Sequence, residues 1–292
     1  MSRVAAPGRM KVVSTVEELR RAGEEARSAG IRYAFVPTMG ALHEGHIALV
    51  AAGHEVADRV AMSIFVNPLQ FGPREDLSTY PRSLEHDTAL AEECGVRLLF
   101  APTVQEMYPH ESRVRVVPAA MGDLWEGAVR PGHFAGVLTV VLKLLNMLAP
   151  RALIMGQKDI QQAVLIRAMC EDLNVPTTVH VVPTVRDADG LALSSRNAYL
   201  SGEDRRRALA LSRALFRVQE MFAVGERDAR VLATEGTAVL NREGGIATDY
   251  LVVVDPDGLA SLNRPVKRGD IVMVAARVGR TRLIDNTILG ER

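Results

Sequence analysis

Residues 33–46 read Tyr33-Ala-Phe-Val-Pro-Thr-Met-Gly-Ala-Leu-His-Glu-Gly-His46. The apolar run up to Val36 is typical of a buried strand, which we expect Pro37 to end. Gly40 then allows the backbone to turn, and the segment after His43 has the apolar spacing of a helix. A strand that leads through a glycine turn into a helix N-terminus predicts an anion site. The first helical N–H groups lack partners within the helix, and the helix dipole favours negative charge there.

Two histidines mark the start of this predicted helix. His43 and His46 stand three residues apart, so they share one face of the first turn and can donate hydrogen bonds to phosphate oxygens. The alternatives are half of a zinc site or two surface histidines. Zinc requires three or four ligands, and Cys94 and Cys170 lack the spacing of a metal site. The pattern therefore favours phosphate contact.

The composition is that of a soluble globular protein. The chain has 292 residues, 48% hydrophobic and 24% charged, which is enough for one large or two ordinary domains. Lys+Arg and Asp+Glu both number 35, so the charge balance favours neither a nucleic-acid nor a membrane partner. Residues 1–15 lack the apolar segment of a signal peptide, and 137–149 is too short and too broken to span a bilayer. Together with two isolated cysteines, these features predict a cytoplasmic protein.

Strand-like and helix-like segments alternate through the first 185 residues. The expected strands are 33–36, 60–66, 96–100, 152–155 and 178–182, and the expected helices are 17–29, 46–57, 83–94, 134–148 and 159–172. This alternation implies parallel strands joined by right-handed crossovers, and hence a Rossmann-like, doubly wound α/β sheet. In such sheets ligands bind beyond the carboxyl ends of the strands.

The pattern changes near residue 186. Two helical segments, from 201 to 222 and from 227 to 240, precede strand-like runs at 247–254, 271–276 and 282–284. Turn signals separate these runs, which predicts antiparallel pairing in a smaller α+β domain. We place the boundary near 185 and expect one domain at 1–185 and another at 186–292.

Polar or Gly/Pro clusters follow four of the predicted strands, at 37–39, 67–71, 156–159 and 184–186. Four such strand ends are hard to explain as ordinary loops.

One of these clusters opens a helix with Lys158 and Asp159. Lys158 can meet phosphate charge, Asp159 can accept from ribose hydroxyls, and Gln162 lies one turn further on. A Lys-Asp pair at a helix start is equally typical of capping.

The stretch Leu193-Ser-Ser-Arg-Asn197 combines two hydroxyls with a guanidinium, which suits a mobile loop that closes on a triphosphate. By itself this stretch is more typical of a turn or an N-cap before the helix at 201.

Uncharged polar groups suited to a substrate hydroxyl or carboxylate occur at Asn67, Gln70 and Tyr80. His133, shortly after Arg130, directly precedes the apolar helix at 134–148, which is an anion-receptive position.

That helix carries a polar stripe of Thr139, Lys143 and Asn146. A helix that is apolar nearly all round is buried in the core or against a partner subunit. We favour this interpretation over a catalytic role for Lys143.

Nucleophilic hydrolases and P-loop enzymes are disfavoured, because no Ser-His-Asp or Cys-His set with convincing spacing and no G-x-x-x-x-G-K-[ST] motif is present. Phosphate-holding donors without a nucleophile suit adenylyl transfer. In that reaction a substrate carboxylate attacks the α-phosphate of ATP, and the protein positions reactants and stabilises charge.

Five motifs, in order, resemble the pantothenate synthetase (pantoate–β-alanine ligase) family. They are 37–46, 64–72, 132–137, 156–162 and 193–197, within a resemblance that covers about 10–290. His-x-Gly-His alone would mark only the wider nucleotidyltransferase superfamily. As an ordered set, the five motifs are highly specific.

The resemblance implies an ATP-dependent ligase with D-pantoate and β-alanine as substrates. Pantoate would attack ATP to give pantoyl adenylate and pyrophosphate, with Mg²⁺ on the triphosphate and no direct protein ligand to the metal. The amine of β-alanine would then displace AMP to give pantothenate. The family is usually a homodimer, and we expect a dimer contact through or near residues 115–148.

The resemblance also implies roles for individual residues. ATP would be bound by Pro37, Thr38, Met39, Gly40, His43, His46, Gly156, Lys158, Asp159, Val185, Leu193, Ser194, Ser195 and Arg196. Six of these would be catalytic, namely His43, His46, Lys158, Ser194, Ser195 and Arg196. Pantoate and β-alanine would meet Met39, Asn67, Gln70, Tyr80, Arg130, His133 and Gln162.

Two positions depart from the family pattern. Gln157 replaces the frequent Glu and removes a charge beside the expected nucleotide site, whereas Leu193 replaces Met and preserves apolar volume. Two other hypotheses stay open, a nucleotidyltransferase that leaves the nucleotide on its product and a non-catalytic nucleotide-binding protein.

Overall fold

The computed structural model describes residues 9–73, 75 and 77–291. Part of the stretch 1–15, for which no signal peptide is expected, therefore lies outside the described residues. The strands are β1 (Lys11–Val13), β2 (Tyr33–Thr38), β3 (Arg59–Ile64), β4 (Leu98–Phe100), β5 (Ala152–Gly156), β6 (Thr178–Val182), β7 (Ile246–Val254), β8 (Ile271–Val278) and β9 (Thr281–Ile288).

The α-helices are α1 (Val16–Ser28), α2 (Glu44–Val56), α3 (Leu84–Glu93), α4 (Val104–Met107), α5 (Glu126–Val129), α6 (His133–Leu148), α7 (Ile160–Asp172), α8 (Gly202–Ala223) and α9 (Ala229–Asn241). Short 3₁₀ turns occupy Pro68–Gln70, Ala120–Asp123, Gln157–Asp159 and Ser195–Tyr199. Across the described ranges, no helix has both the length and the apolar character that a membrane span requires.

The chain divides into two compact units. The first runs to Gly122 and adds Gly127–Gly156 and Leu165–Val182, and the second consists of Asp123–Glu126, Gln157–Val164 and the chain from Pro183 onward. The sequence did not predict that two short earlier segments would join the second unit. The predicted domain boundary near 185 stays a prediction.

The first unit is built on a parallel six-stranded sheet in the order β1-β4-β3-β2-β5-β6. The strand order reverses beside β2, which pairs in parallel with both β3 and β5. This arrangement confirms the predicted Rossmann-like sheet, and β2 is the strand that leads into the His43–His46 turn. Apolar side chains from its strands pack in one buried core cluster, which includes Ala34, Val36, Val60, Met62 and Ile154.

The helices follow local signals. Thr15 caps α1 in a capping box with Glu18, and the buried face of α1 includes Leu19 and Ala22. Helix α6 is buried along most of its length, as its apolar sequence predicts. The polar stripe is divided, because Thr139 accepts from the Val116 N–H at 3.0 Å and Asn146 is exposed.

Two details of the sheet differ from the sequence analysis. Pro37 does not end β2, because the strand continues to Thr38 and Pro37 pairs opposite Ser63. The pairing of β5 with β2 covers only Ala34 and Phe35, so a residue without an N–H is tolerated at this end of the strand. The short edge strand β1 was missed, since three residues give too little periodicity to detect.

The second unit contains an antiparallel sheet in the order β7-β8-β9, as predicted. Its core combines apolar side chains of α8 and α9 with those of the sheet, including Leu211, Leu215, Leu232, Val272 and Val274. Strand β9 extends to Ile288, beyond the predicted end at Ile284.

Candidate active site

The turn after β2 has a strained backbone that two side chains stabilise. Gly40 and Ala41 both have positive φ, +87° and +51°. The hydroxyl of Thr38 accepts from the Gly40 N–H at 3.2 Å and donates to the Ser63 carbonyl at 2.7 Å. A β-carbon at position 40 would lie 2.8 Å from a carboxylate oxygen of Asp87, so both the conformation and the space favour glycine.

Asp87 is a site-forming residue that sequence reasoning missed. Its buried carboxylate on α3 accepts from the N–H groups of Ala41 and Leu42, each at 2.9 Å. These two residues immediately precede His43, so Asp87 holds the entry to α2 in place. The contact joins residues 46 positions apart, and no local pattern signals it.

His43 and His46 form a reciprocal cap on α2. The Gly45 N–H donates to His43 Nδ1 at 3.1 Å, and the His43 N–H donates to His46 Nδ1 at 3.2 Å. The ring centroids are 4.2 Å apart. Because each Nδ1 accepts, the proton of each neutral ring lies on Nε2. In both neutral rings the N–H donor is therefore Nε2, and both rings lie at the positive end of a helix.

Gln70 is oriented by Asn67 and faces Met39. Its side-chain oxygen accepts from Asn67 Nδ2 at 3.0 Å, and its Nε2 lies 3.1 Å from the sulfur of Met39. Gln70 is 8% exposed and lies in the 3₁₀ turn after β3. The structure thus brings three predicted substrate residues into contact.

Asn67 is committed to the protein itself. Its Nδ2 also donates to the Gly136 carbonyl at 3.2 Å, and its Oδ1 accepts from the Leu69 N–H and from the Tyr108 hydroxyl, the latter at 2.9 Å. With these bonds made and 1% of its surface exposed, Asn67 orients Gln70. The family resemblance also implies that Asn67 meets the substrate, a role that stays a prediction.

Tyr108 is a second residue that the sequence did not reveal. Burial raises the pKa of its hydroxyl to about 12, so the phenol stays protonated and keeps donating to Asn67. The ammonium of Lys143 lies 5.5 Å from the centroid of the Tyr108 ring. Lys143 therefore contacts the residue that supports Asn67.

Gly136 explains the glycine of the motif at 132–137. A β-carbon there would lie 2.2 Å from the carbonyl oxygen of Leu69 and 2.7 Å from the backbone nitrogen of Gln70. Helix α6 packs its backbone directly against the turn that carries Gln70, which only glycine permits.

Arg130 and His133 support the same turn. Arg130 donates to both carboxylate oxygens of Glu75, at 2.9 and 2.6 Å, and its third nitrogen lies 3.0 Å from His133 Nε2. His133 Nδ1 is 2.8 Å from the Gln70 carbonyl. A guanidinium only donates and a carbonyl only accepts, so His133 carries its proton on Nδ1 and is neutral. Burial raises the pKa of Glu75, but the hydrogen bonds and charge of Arg130 more than offset this and leave that pKa below its usual range.

Tyr80 packs edge-on against Phe71, with ring centroids 6.0 Å apart, and is 9% exposed. Its ring therefore borders the segment that follows Gln70.

In the second unit, Lys158 and Asp159 lie in the 3₁₀ turn Gln157–Asp159 that precedes α7. The Lys158 ammonium is 3.8 Å from a carboxylate oxygen of Asp159, whose side chain is half exposed. Gln157 points to β9, where its amide donates to Asn286 at 3.1 Å. Gln162 lies on the first turn of α7.

Val185 and Leu193 pair in a hairpin of the second unit. The Leu193 N–H donates to the Val185 carbonyl at 3.0 Å, and Arg186 forms a bridge with Ala192. Ser194 then caps the 3₁₀ turn Ser195–Tyr199, accepting from the Arg196 N–H at 3.3 Å. The capping interpretation is therefore correct for Ser194. Capping does not exclude the predicted phosphate role.

The sequence-predicted residues fall into two groups. The first unit holds Pro37, Thr38, Met39, Gly40, His43, His46, Asn67, Gln70, Tyr80, Arg130, His133 and Gly156. The second holds Lys158, Asp159, Gln162, Val185, Leu193, Ser194, Ser195 and Arg196. Among residues 9–73, 75 and 77–291, no group of three or more His, Cys, Asp or Glu side chains is arranged to hold a metal.

Comparison with known proteins gives consistent matches. The sequence profile of the family described as pantoate-beta-alanine ligase matches residues 11–288. Pantothenate synthetase 1 of Bradyrhizobium diazoefficiens is 50% identical over 280 residues, 96% of this chain and 98% of that protein. Pantothenate synthetase of Chloroflexus aurantiacus is 49% identical with the same coverage.

Solved structures agree. The crystal structure of pantothenate synthetase from Thermus thermophilus superimposes with a TM-score of 0.90 at 47% identity, covering 96% of this chain and 99% of that one. A pantoate-beta-alanine ligase from Francisella tularensis, complexed with beta-gamma ATP and beta-alanine, gives 0.77 at 33% identity, covering 96% and 97%. The chain belongs to the pantoate–β-alanine ligase family.

Proposed function

We propose that this ligase joins D-pantoate to β-alanine through a pantoyl adenylate, and that the residues described above perform the two steps. The supporting observation is the reciprocal cap of His43 and His46, which places two Nε2–H donors at the N-terminus of α2. A preorganised pair of donors suits a phosphoryl group on which negative charge develops.

In the first step, a carboxylate oxygen of pantoate attacks the α-phosphorus of ATP. The bond between that phosphorus and the bridging oxygen breaks, and pyrophosphate leaves with the electron pair. His43 and His46 donate to the phosphate oxygens, while Lys158 and Arg196 neutralise their charge. The chain's task is to position the reactants and stabilise charge, so no protein nucleophile is required.

In the second step, the amine of β-alanine attacks the acyl carbon of the adenylate. The bond from carbon to the phosphate oxygen breaks, AMP leaves, and the amine nitrogen loses a proton. The related Francisella protein was crystallised with beta-gamma ATP and beta-alanine, which supports assigning both ligands to this chain.

The remaining ATP contacts are proposed at Pro37, Thr38, Met39, Gly40, Gly156, Asp159, Val185, Leu193, Ser194 and Ser195. Gln70 and Met39 are the proposed pantoate contacts, supported by the orientation that Asn67 imposes on the Gln70 amide. Asn67, Tyr80, Arg130, His133 and Gln162 complete the proposed substrate set. The bonds of Arg130 and His133 favour roles in holding the Gln70 turn.

Mg²⁺ belongs with the triphosphate in this proposal. The ion usually keeps several waters and binds through substrate phosphates, so the proposal gives it no direct protein ligand. When bound, the ion would neutralise phosphate charge. We also propose a cytoplasmic location, supported by the even charge balance and the isolated cysteines.

A homodimer in contact near residues 115–148 completes the proposal. Analytical ultracentrifugation tests it, and a monomer at working concentration would contradict it.

The decisive experiment measures pyrophosphate and AMP release from ATP and Mg²⁺ with D-pantoate, with and without β-alanine. We expect multiple turnovers only with both substrates, and AMP in step with pyrophosphate. A nucleotidyltransferase would release pyrophosphate without free AMP. A folded chain that binds ATP and releases no pyrophosphate would support the non-catalytic alternative.

A further inference from the structure

Strand β9 touches two segments of the second unit to which the proposed function assigns ATP contacts. Its adjacent residues Asp285 and Asn286 are buried, 4% and 2% exposed, although both side chains are polar. Buried polar side chains are costly unless their hydrogen bonds are satisfied, so their partners are informative.

Asn286 bonds the turn that carries Lys158. Its Nδ2 donates to the carbonyls of Gln157 and Lys158 at 2.8 and 2.9 Å, and its Oδ1 accepts from Gln157 Nε2 at 3.1 Å. Both amide hydrogens and the oxygen are therefore used on one short turn. Gln157, which departs from the family pattern, is part of this arrangement.

Asp285 bonds the hairpin that leads to Ser194. Arg186 donates to both its carboxylate oxygens, at 2.6 and 3.0 Å, and also donates to the Gly190 carbonyl at 3.2 Å. Paired charges in this two-point geometry fix the direction of the guanidinium as well as its position. Arg186 lies opposite Ala192, two residues before Ser194.

We infer that Asp285 and Asn286 are positioning residues, which hold the Lys158 turn and the hairpin before Ser194–Arg196 at a set distance from each other. Neighbouring residues of one strand anchor the two segments, so displacement of β9 moves both. The inference rests on the proposed function, because that proposal assigns Lys158 and Arg196 to ATP.

The test is a double-mutant cycle on the full-length protein, measuring kcat/KM for ATP by pyrophosphate release. We expect Asn286→Ala to lower it by on the order of 10–10²-fold, the scale of a small misplacement of reactive groups. In a Lys158→Ala background, Asn286→Ala should lower kcat/KM by less than about threefold. The reason is that substitutions of residues that act as a unit do not have additive effects. Asp285→Asn should show the same coupling with Arg196→Ala.

The matched control is Leu283→Ala, a core residue on the same strand. We expect it to lower the melting temperature while kcat/KM for ATP stays within about twofold, because an apolar side chain makes no hydrogen bond to either segment. If Asn286→Ala does not fold, Asn286→Ser, which keeps one donor, carries the cycle. Equal losses in both backgrounds, or a folded Asn286→Ala with unchanged kcat/KM, would overturn the inference.

The wild-type arm separates this inference from the proposed function. Titration with a β,γ-methylene analogue of ATP, followed by calorimetry, should show binding to the wild type. An inert wild type that does not bind the analogue would remove both proposals. An active wild type with uncoupled variants would remove only the positioning role.

Discussion

At the scale of single residues, hydrogen bonding decides which nitrogen of each histidine carries the proton. His43 and His46 accept at Nδ1, whereas His133 donates at Nδ1 to the Gln70 carbonyl. The N–H donor of the first two rings is therefore Nε2, and that of the third is Nδ1. The sequence placed all three histidines at anion-receptive helix starts, but the structure gives His133 a different donor nitrogen from His43 and His46.

His46 provides the sharpest prediction at this scale. His46→Ala should lower kcat by on the order of 10²–10³, the usual loss for one transition-state donor. Steady-state kinetics with ATP and pantoate measure it.

His46→Glu is the matched variant, because an ionised glutamate can accept from the His43 N–H and keep the cap but has no hydrogen to donate. This variant should keep the wild-type melting temperature and still show the reduced kcat. His54→Ala, an exposed position late in α2, should behave as wild type. Wild-type turnover in His46→Glu would refute the donor role.

A substitution of Tyr108 tests whether its hydrogen bond to Asn67 helps to orient Gln70. Tyr108→Phe removes the hydroxyl that donates to Asn67. We expect pantoate binding to weaken by about 0.5–1.5 kcal/mol, which raises the KM for pantoate by up to roughly tenfold. The KM for ATP should change little, and comparing the two constants checks the assignment. Because the pKa of this hydroxyl is raised to about 12, the wild-type pantoate KM should not titrate with Tyr108 below pH ~10. An equal rise in both KM values would contradict this role.

At the scale of elements, the close approach of α6 to the 3₁₀ turn Pro68–Gln70 shapes the proposed pantoate side. The backbone of Gly136 lies against Leu69 and Gln70, and Asn67 donates to the Gly136 carbonyl. The helix and the turn are thus bonded and packed at the same point. Any side chain at position 136 must separate them.

Gly136→Ala should therefore raise the KM for pantoate at least tenfold and lower the free energy of unfolding by about 1–3 kcal/mol, as overpacking does. Urea unfolding and substrate kinetics measure the two effects. The control is Gly202→Ala, where a β-carbon meets nothing within 4 Å at the start of α8. Wild-type KM and stability in both variants would contradict the prediction, because they would show that the turn can shift to accommodate a β-carbon at position 136.

At the scale of the whole chain, several carboxylates are held ionised by arginines, which makes stability depend on pH. Burial raises the pKa of Asp270, but the two hydrogen bonds from Arg264, each 2.7 Å, more than offset this and leave that pKa below its usual range. Arg32 lowers the pKa of Asp58 to about 2. A lowered pKa means that the unfolded chain binds the proton more readily.

The stability from these groups is therefore present above the ordinary carboxylate pKa and lost as pH falls through the folded value. Asp270→Asn should be less stable than wild type by about 1–3 kcal/mol at pH 7, because Arg264 loses its charged partner. Its stability should also fall less than that of wild type between about pH 5 and pH 2. Urea unfolding at several pH values measures how the free energy of unfolding of each protein depends on pH. Parallel pH dependences of wild type and Asp270→Asn would contradict the lowered pKa of Asp270.

Much of the fold follows from local patterns. The β2–turn–α2 segment, the parallel alternation and the antiparallel second sheet were all predicted, since each depends on apolar period, glycine turns and caps within a few residues. The proposed site residues likewise came from five short motifs.

Only the tertiary structure revealed what holds those motifs in place. Asp87 reaches Ala41 across 46 positions, Asn67 reaches Gly136 across 69, and Gln157 reaches Asn286 across 129. A hydrogen bond between distant residues leaves no period or cap in the sequence, because chain folding alone brings the partners together. The sequence by itself thus determined the elements and the residue types of the proposed site, and the packing of those elements decided which side chains hold them.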